Sequence, residues 1–501
     1  MLTLLFQGFA TIMQPECLLL ILAGTAIGIL FGAVPGLSSV MAVALFLPVT
    51  YGMDAGTGIA VLTALYIGAT SGGLISAVLL KIPGTPASVA TCWDGHPMVE
   101  KGEGAKALGV GVVFSFLGTI ISIAALVFIA PWLAKIALRF GPHEYFAIAV
   151  FSLTLIAGLS SGSMVKGLFS GALGFAFSTV GIAPIEANVR FGFGSYELND
   201  GFKTLTVLIG LFAISEIIKT AESAKKEAEA EVAQVSMKKI KGFGFTWAEF
   251  VSQIPNLLRS SVIGIGVGIL PGIGAGTSNI LSYVAAQKQS KYPEKFGTGI
   301  IDGIVAPETA NNAGIGGAMI PLMTLGIPGD GVTAILLGGF MVHGIAPGPL
   351  LFTNHAGLVY TIFAALILSS VAMLLIEFYG LRIFIKLLKV PKHILLPIVF
   401  ILCVVGAFGL SSLVFDVWTI LIFGLVGYFF VNYKVPQAPF IIGFILGPMA
   451  ELNLRRGLQL SDGSFMGFFQ NGISCVFLIL SAAYVLYCAY SGLKGGKIKA
   501  A

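Results

Sequence analysis

Long apolar stretches follow one another along nearly the whole chain with few charges between them, a pattern that restricts it to folds a lipid bilayer can solvate. A spanning helix takes about 20 mostly apolar residues. Candidate stretches lie near 16–34, 38–50, 57–80, 107–135, 145–159, 165–183, 203–218, 250–270, 317–340, 357–387, 394–410, 414–432, 437–449 and 465–490. Some are too short to cross and others long enough to bend, which predicts about 12 spans with broken or re-entrant elements among them. Charged residues make up 10% of 501, against roughly 25% in soluble domains, too few to cover a water-facing surface. The predicted class is an all-α polytopic membrane protein.

Charge placement sets the expected orientation. No Lys or Arg precedes Lys81, whereas six lysines and four glutamates fall between Lys219 and Lys241, and Lys494, Lys497 and Lys499 end the chain. Cytoplasmic loops carry the excess of Lys and Arg. Segment 219–246 is therefore expected in the cytoplasm as a charged connector, which could be an exposed helix, together with the C-terminus; the N-terminus is free to face out. The first residues lack the basic n-region of a usual signal peptide. The five cysteines have no metal or redox spacing and read as buried thiols. Nucleic acid is not an expected partner.

The connector separates two halves, 1–218 and 247–501, that repeat a pattern. Gly28-Ile-Leu-Phe-Gly32-Ala-Val-Pro35-Gly36-Leu37 answers Gly264-Ile-Gly-Val-Gly268-Ile-Leu-Pro271-Gly272-Ile273 at an offset of 236 residues. Ile82-Pro83-Gly84-Thr85 likewise answers Ile327-Pro328-Gly329-Asp330. The two motifs are 47 residues apart in the first half and 56 in the second, a gain assigned to the loop Gln287–Phe296. The second half enters the membrane from the cytoplasmic connector and the first from an uncharged N-terminus. Inverted repeats are therefore expected, with a binding site at their interface as in many secondary transporters.

Four Pro-Gly breaks interrupt apolar stretches. Proline removes a backbone donor and glycine weakens a helix, and in lipid such backbone persists only inside protein or beside a watery cavity. One break reads as a kink; four in matched pairs point to a site. Each is followed by helix-start chemistry, Ser38-Ser39, Thr85-Pro86, Thr277-Ser278-Asn279 and Asp330. Helix N-termini offer free N–H groups and the positive end of the dipole, so several converging would hold a carboxylate. The candidate substrate-binding residues are Pro35, Gly36, Leu37, Ser38, Ser39, Pro83, Gly84, Thr85, Pro86, Ser88, Gly272, Gly274, Thr277, Ser278, Asn279, Pro328 and Gly329. Asp330 would repel an anion and suits a cation. With Glu308, Thr309, Asn311, Asn312 and Thr333 it makes a candidate set for a sodium ion or proton, and the same residues also fit a structural hydrogen-bond cluster.

Lys81 either lines the cavity or snorkels to an interface; a lysine at the bilayer centre costs about 2.5–3.5 kcal/mol, which favours the interface. Asp94-Gly95-His96-Pro97 and Glu100–Glu103 read as an ordinary cytoplasmic loop. Gly158-Leu159-Ser160-Ser161-Gly162 fits G-x-S-x-G, but that pattern needs a strand–turn–helix context, and here it ends an apolar helical stretch. An intramembrane serine hydrolase is thus a remote reading. The histidines show no paired metal spacing, and no G-x4-G-K-[ST] motif would supply ATP drive. Neither enzyme activity nor a cofactor is expected. An anion channel, or a carrier of a non-carboxylate solute, is the alternative.

At these residues the chain resembles the large membrane subunit of tripartite tricarboxylate transporters. The stretches that carry the resemblance are GILFGAVPGLSSVMAVALFLPVTYGMD from Gly28, GGLISAVLLKIPGTPASVATCWDGHPM from Gly72, and the run from Lys295 through APETANNAGIGGAMIPLMTLGIPGD. The resemblance covers nearly the whole chain. It implies a secondary carrier for carboxylates, driven by an ion gradient in the inner membrane of a bacterium, working with a small four-span membrane subunit and a periplasmic solute-binding protein. It further implies an elevator-type arrangement in which a mobile domain holding the helical tips, including Pro328–Thr333, moves against a scaffold. Three departures surround the first-half site: Ser38 stands where the family usually has glycine, Ser71-Gly72-Gly73-Leu74 replaces a Tyr-Gly-Gly-Ser run, and Lys81 replaces asparagine or another small residue.

Overall fold

The computed structural model describes residues 2–159, 164–224, 243–272, 274–387 and 392–493. Within them the chain is helical apart from a small hairpin of β1 (Gly181–Ile182) and β2 (Val189–Arg190). The first half runs α1 (Leu2–Ile12), α2 (Pro15–Ala33), α3 (Ser39–Phe46), α4 (Ala55–Leu80), α5 (Thr91–Glu100), α6 (Gly104–Ala137), α7 (Pro142–Leu159), α8 (Met164–Ser178), α9 (Thr204–Leu208) and α10 (Ser215–Ala224). A π-helical segment, Ile209–Ile214, joins the last two. The second half runs α11 (Trp247–Ser252), α12 (Ile254–Ile269), α13 (Gly274–Gln289), α14 (Asp302–Leu325), α15 (Gly331–Val342), α16 (Leu351–Asn354), α17 (Ala356–Leu387), α18 (Lys392–Ser411), α19 (Val414–Asn432), α20 (Gln437–Leu460), α21 (Gly467–Gln470) and α22 (Gly472–Leu493).

Six helices among the described residues are long and apolar enough to cross a membrane: Pro15–Ala33, Ala55–Leu80, Gly104–Ala137, Thr204–Glu222, Ala356–Leu381 and Val414–Asn432. The breaks shorten several of the other apolar helices: α3 has 8 residues, α12 has 16 and α15 has 12. The helix entering the connector continues to Ala224, past the boundary expected at 218. The rest of the connector through 242, including the helix expected there, lies outside the described residues.

Two helix crossings bring backbone against backbone. A Cβ on Gly28 would stand 2.5 Å from the Leu65 carbonyl oxygen, one on Gly32 2.2 Å from that of Ala69, and one on Gly72 2.3 Å from that of Ile29. The second half repeats this register where α12 crosses α14. Gly264 faces the Ala310 oxygen at 2.3 Å, Gly268 that of Gly314 at 2.6 Å, and Gly317 that of Ile265 at 2.6 Å. Contact residues are offset by 236 between α2 and α12 and by 245 between α4 and α14. The nine-residue difference arises between these helices, and most of it lies in α13 itself, 16 residues long against 8 in α3, rather than in the loop expected at Gln287–Phe296. In lipid, helices associate through close packing rather than hydrophobic exclusion, and small residues permit the approach.

Each tip folds back onto its own crossing. A Cβ on Gly84 would lie 2.1 Å from the Gly32 oxygen, and one on Gly329 2.5 Å from that of Gly268. The turns into the tips are left-handed in both halves, with φ of 58° at Lys81 and 71° at Gly326. Glycine takes that conformation freely, whereas a residue with a Cβ loses about 1–2 kcal/mol. The Lys81 side chain is exposed.

The segment expected as an ordinary loop after the first tip is instead the helix α5, and Asp94 is fully buried in it. Tyr283 Oη donates to its Oδ2 at 2.7 Å, and the backbone N–H groups of Gly297, Gly299 and Ile300 donate to Oδ1 at 3.0, 2.8 and 3.0 Å. The carboxylate thereby fastens α5 to the chain entering α14, and sequence pattern missed this because three of the four donors are backbone. Beyond the connector, Thr246 caps α11, and Lys106 Nζ donates to Glu249 Oε1 at 2.5 Å, which holds the Glu249 carboxyl below its ordinary pKa.

Gly32→Val should therefore displace backbone in the α2–α4 crossing and destabilise the protein by about 2 kcal/mol or more. Gly266→Val, on the same stretch as Gly264 and Gly268 but with no atom within 4 Å of the added Cβ, should leave the thermal midpoint in detergent unchanged. Equal midpoints for the two variants would count against the crossing as the packing determinant.

Candidate functional site

The four breaks meet. Ser38 caps α3, its Oγ accepting from Met41 N at 3.1 Å. Gly36 and Gly272, at matching places, have φ of 93° and 74°. Gly272 N donates to the Gly329 oxygen at 2.7 Å, and a Cβ on Gly274 would lie 3.7 Å from Asp330 Cβ. Across the halves, a Cβ on Gly276 would stand 3.0 Å from the Pro86 oxygen, and one on Gly331 3.3 Å from Val40 Cγ2. These last two contacts correspond under the same 236 and 245 offsets. Each tip therefore touches the helix that follows the other half's first break.

The tip at Pro83–Ser88 is held by side chains of the second half. Ser88 Oγ accepts from Thr85 N at 3.3 Å and donates to the Thr85 oxygen at 3.0 Å. Asn311 Nδ2 donates to the Ala87 oxygen at 2.8 Å, and Asn279 Oδ1 accepts from Ala90 N at 2.8 Å. Glu308 is wholly buried; Thr91 Oγ1 donates to its Oε1 at 2.5 Å and Ser115 Oγ to its Oε2 at 3.0 Å. Asn312 Nδ2 donates to the Glu308 backbone oxygen at 3.0 Å and also to Asn311 Oδ1. Ser278 Oγ donates to the Ala275 and Ala310 oxygens at 2.9 and 3.3 Å. The hydroxyls of Thr85 and Thr309 are buried without a hydrogen-bond partner. A buried hydroxyl left unpaired costs about 1–3 kcal/mol.

The second tip carries a different group. Asp330 caps α15: Oδ1 accepts from Thr333 N and Thr333 Oγ1, both at 2.7 Å, while Asp330 N donates to Thr333 Oγ1 at 2.8 Å. Tyr66 of α4 donates its Oη to Asp330 Oδ2. Of the expected cation set, Glu308, Asn311 and Asn312 gather with Thr91 and Ser115, whereas Asp330 and Thr333 pair with Tyr66. The start of α13 lies between them, Gly274 beside Asp330 and Asn279 beside Ala90.

The first break also meets α10: the Gly36 oxygen accepts from Thr220 Oγ1 at 3.4 Å, and Leu37 and Ser39 are buried. Tyr66, Thr91 and Ser115 were not legible as site residues, since hydroxyls in apolar helices usually bond their own backbone. The Ser160-Ser161-Gly162 part of the G-x-S-x-G pattern lies outside the described residues. An apolar groove of about 270 Å³ lined by Ala176, Phe177, Thr179, Val180, Phe191 and Phe193 shares no residue with the site.

Tyr66→Phe should leave Asp330 Oδ2 without its donor and cost about 1–3 kcal/mol in thermal unfolding. In an Asp330→Ala background the same change should cost distinctly less. Additive losses in that double-mutant cycle would mean that the two groups do not interact.

Residues 18–442 match the profile of the Tripartite tricarboxylate transporter TctA family. An uncharacterized 52.8 kDa protein of the TAR-I ttuC' 3' region of Agrobacterium vitis is 32% identical over 492 residues, 98% of this chain and 97% of its own. A second uncharacterized A. vitis protein, of the TAR-II ttuC' 3' region, is 34% identical over 220 residues, 44% of this chain and 91% of its own. With six membrane-length helices, a profile match over most of its length and a full-length relative, the chain belongs to the tripartite tricarboxylate transporter TctA family, a transporter family of multi-pass membrane proteins.

Proposed function

We propose that this chain is the large transmembrane subunit of a binding-protein-dependent secondary carrier that imports tricarboxylates or related carboxylates across the bacterial inner membrane. The observation that carries the reading is the convergence of four helix breaks around polar groups, with the Thr85 and Thr309 hydroxyls buried and unpartnered. Helix starts at Ser39, Pro86, Gly274 and Gly331 lie close to one another through the contacts above, and N-terminal N–H groups suit a carboxylate. The substrate carboxylates would take Ser38, Thr85, Ser88, Ser278 and the backbone of Gly84, with Gly272 and Gly329, joined to each other, shaping the wall beside them.

The coupling cation, sodium or proton, belongs at the oxygen-rich set of Glu308, Thr309, Asn311 and Asn312, with Asp330 and Thr333 as a second point. Recurrence of both crossings under fixed offsets supports two inverted repeats, and the tips held across the halves support a mobile domain that travels as one body in an elevator-type cycle. A small four-span membrane subunit and a periplasmic solute-binding protein complete the assembly, as membership of a tripartite family implies.

The test is uptake of labelled carboxylates into proteoliposomes holding this chain, its small membrane partner and its binding protein, with sodium and proton gradients imposed separately. Saturable uptake with counterflow under one gradient, dependent on the binding protein, is expected. Flux without saturation would point to a channel. Glu308→Gln should raise the half-saturating coupling-ion concentration about tenfold, the loss of one charge-assisted contact, with the order of preference among carboxylates kept. An unchanged ion dependence would remove Glu308 from the cation site.

A further inference from the structure

A second buried carboxylate lies outside this network. Glu377, on α17, is 0% exposed, and it stands on the longest stretch of α17 that is apolar enough to cross the membrane. Ser71 Oγ of α4 donates to its Oε2 at 2.5 Å, and its Oε1 is buried with no hydrogen-bond partner. The contrast with Glu308 is one of donor supply. Glu308 has hydroxyl donors on both oxygens, whereas Glu377 has one donor and one oxygen without a partner. An ionised carboxyl buried in that state is strongly unfavourable, and isolated charges in membrane helices are neutralised or paired.

Among the described side chains no cation is placed to pair with it; on α17 itself, the side chains of Arg382 and Lys386 lie outside the described residues. Of the elements packed on α17, α1 and α4 contain no charged residue, α2 has only Glu16 in its first turn, and α6 has Lys106, engaged by Glu249, and Lys135 in its last turn. The charged group that bears on Glu377 is Glu308 of α14, of the same sign. A protonated carboxyl removes the conflict. Its O–H needs one acceptor, and the Ser71 hydroxyl, which can both donate and accept, supplies it.

We infer that Glu377 is a proton-binding site at the α4–α17 seam, distinct from the Glu308 cation set, and that its proton is taken up and released as the seam moves during transport. The location of the proton stands on the geometry above. Its role in transport rests on the carrier reading.

Infrared difference spectroscopy of the purified protein in detergent tests the location without any transport. At neutral pH the wild-type protein should show a buried carboxylic-acid C=O band that is absent in Glu377→Gln and retained in Glu308→Gln. Ser71→Ala, which needs no change at the acid itself, should shift that band to higher frequency. Identical bands in wild type and Glu377→Gln, or no shift in Ser71→Ala, would overturn the site. In proteoliposomes with both partners, an inward pH gradient should stimulate wild-type uptake severalfold. Glu377→Gln should lose that stimulation but keep exchange of labelled for unlabelled substrate, and a wild-type response in the variant would overturn the transport role. Absence of uptake by the wild-type assembly under any gradient would instead remove the carrier reading, with the infrared result still deciding where the proton sits.

Discussion

The Leu65 and Ala69 carbonyls occupy space that any side chain at Gly28 or Gly32 would need, and the Ala310 and Gly314 carbonyls do the same to Gly264 and Gly268. Everything at the site is positioned from these two crossings. Because Gly84 rests on the Gly32 oxygen and Gly329 on that of Gly268, each tip is located by the crossing in its own half. Because Pro86 touches Gly276 and Gly331 touches Val40, each tip also locates the first break of the other half. Backbone contact leaves no slack of the kind a side chain can take up by changing rotamer, so four interrupted helices can share one small volume in a membrane, where unpaired backbone is otherwise not tolerated.

On this matched framework the chemistry is unequal. Thr277, Ser278 and Asn279 of α13 correspond to Met41, Ala42 and Val43 of α3, and Glu308, Thr309 and Asn312 of α14 to Thr63, Ala64 and Ile67 of α4. The polar groups are thus concentrated on the second half's helices, where they receive the first half's tip. The reverse contact is nearly dry, with the Asp330–Tyr66 pair as its polar link. The matched crossings account for the common scaffold, and the one-sided polarity is where the two halves differ. A ligand with carboxylates at one end and a coupling cation beside it needs that polarity difference.

The parts of this arrangement that could be read from sequence are those written in small residues. Glycine spacing and Pro-Gly pairs mark places where the backbone itself makes the contact, so the crossings and tips were visible in the sequence, whereas the extra nine residues, assigned to a loop, lie mostly in the longer helix α13. Side-chain partners were not visible. Thr91 and Ser115 reach Glu308 across 217 and 193 residues, and Tyr66 reaches Asp330 across 264, and nothing local distinguishes them from ordinary hydroxyls in apolar helices. Asp94 was read as a loop residue because its burial depends on backbone donors 203 to 206 residues away.

Two departures from the family pattern acquire physical content. Lys81 holds the left-handed position that Gly326 holds in the second half, and an asparagine or glycine would suit that backbone better. Its side chain is exposed at the end of α4. Ser71 is the residue that meets Glu377. A bulky side chain there would occupy the α4–α17 seam, whereas serine leaves room for the carboxyl and gives it a group that can donate or accept. Two of the three departures around the first-half site thus fall on α4, at its end and its seam, while Ser38 caps α3.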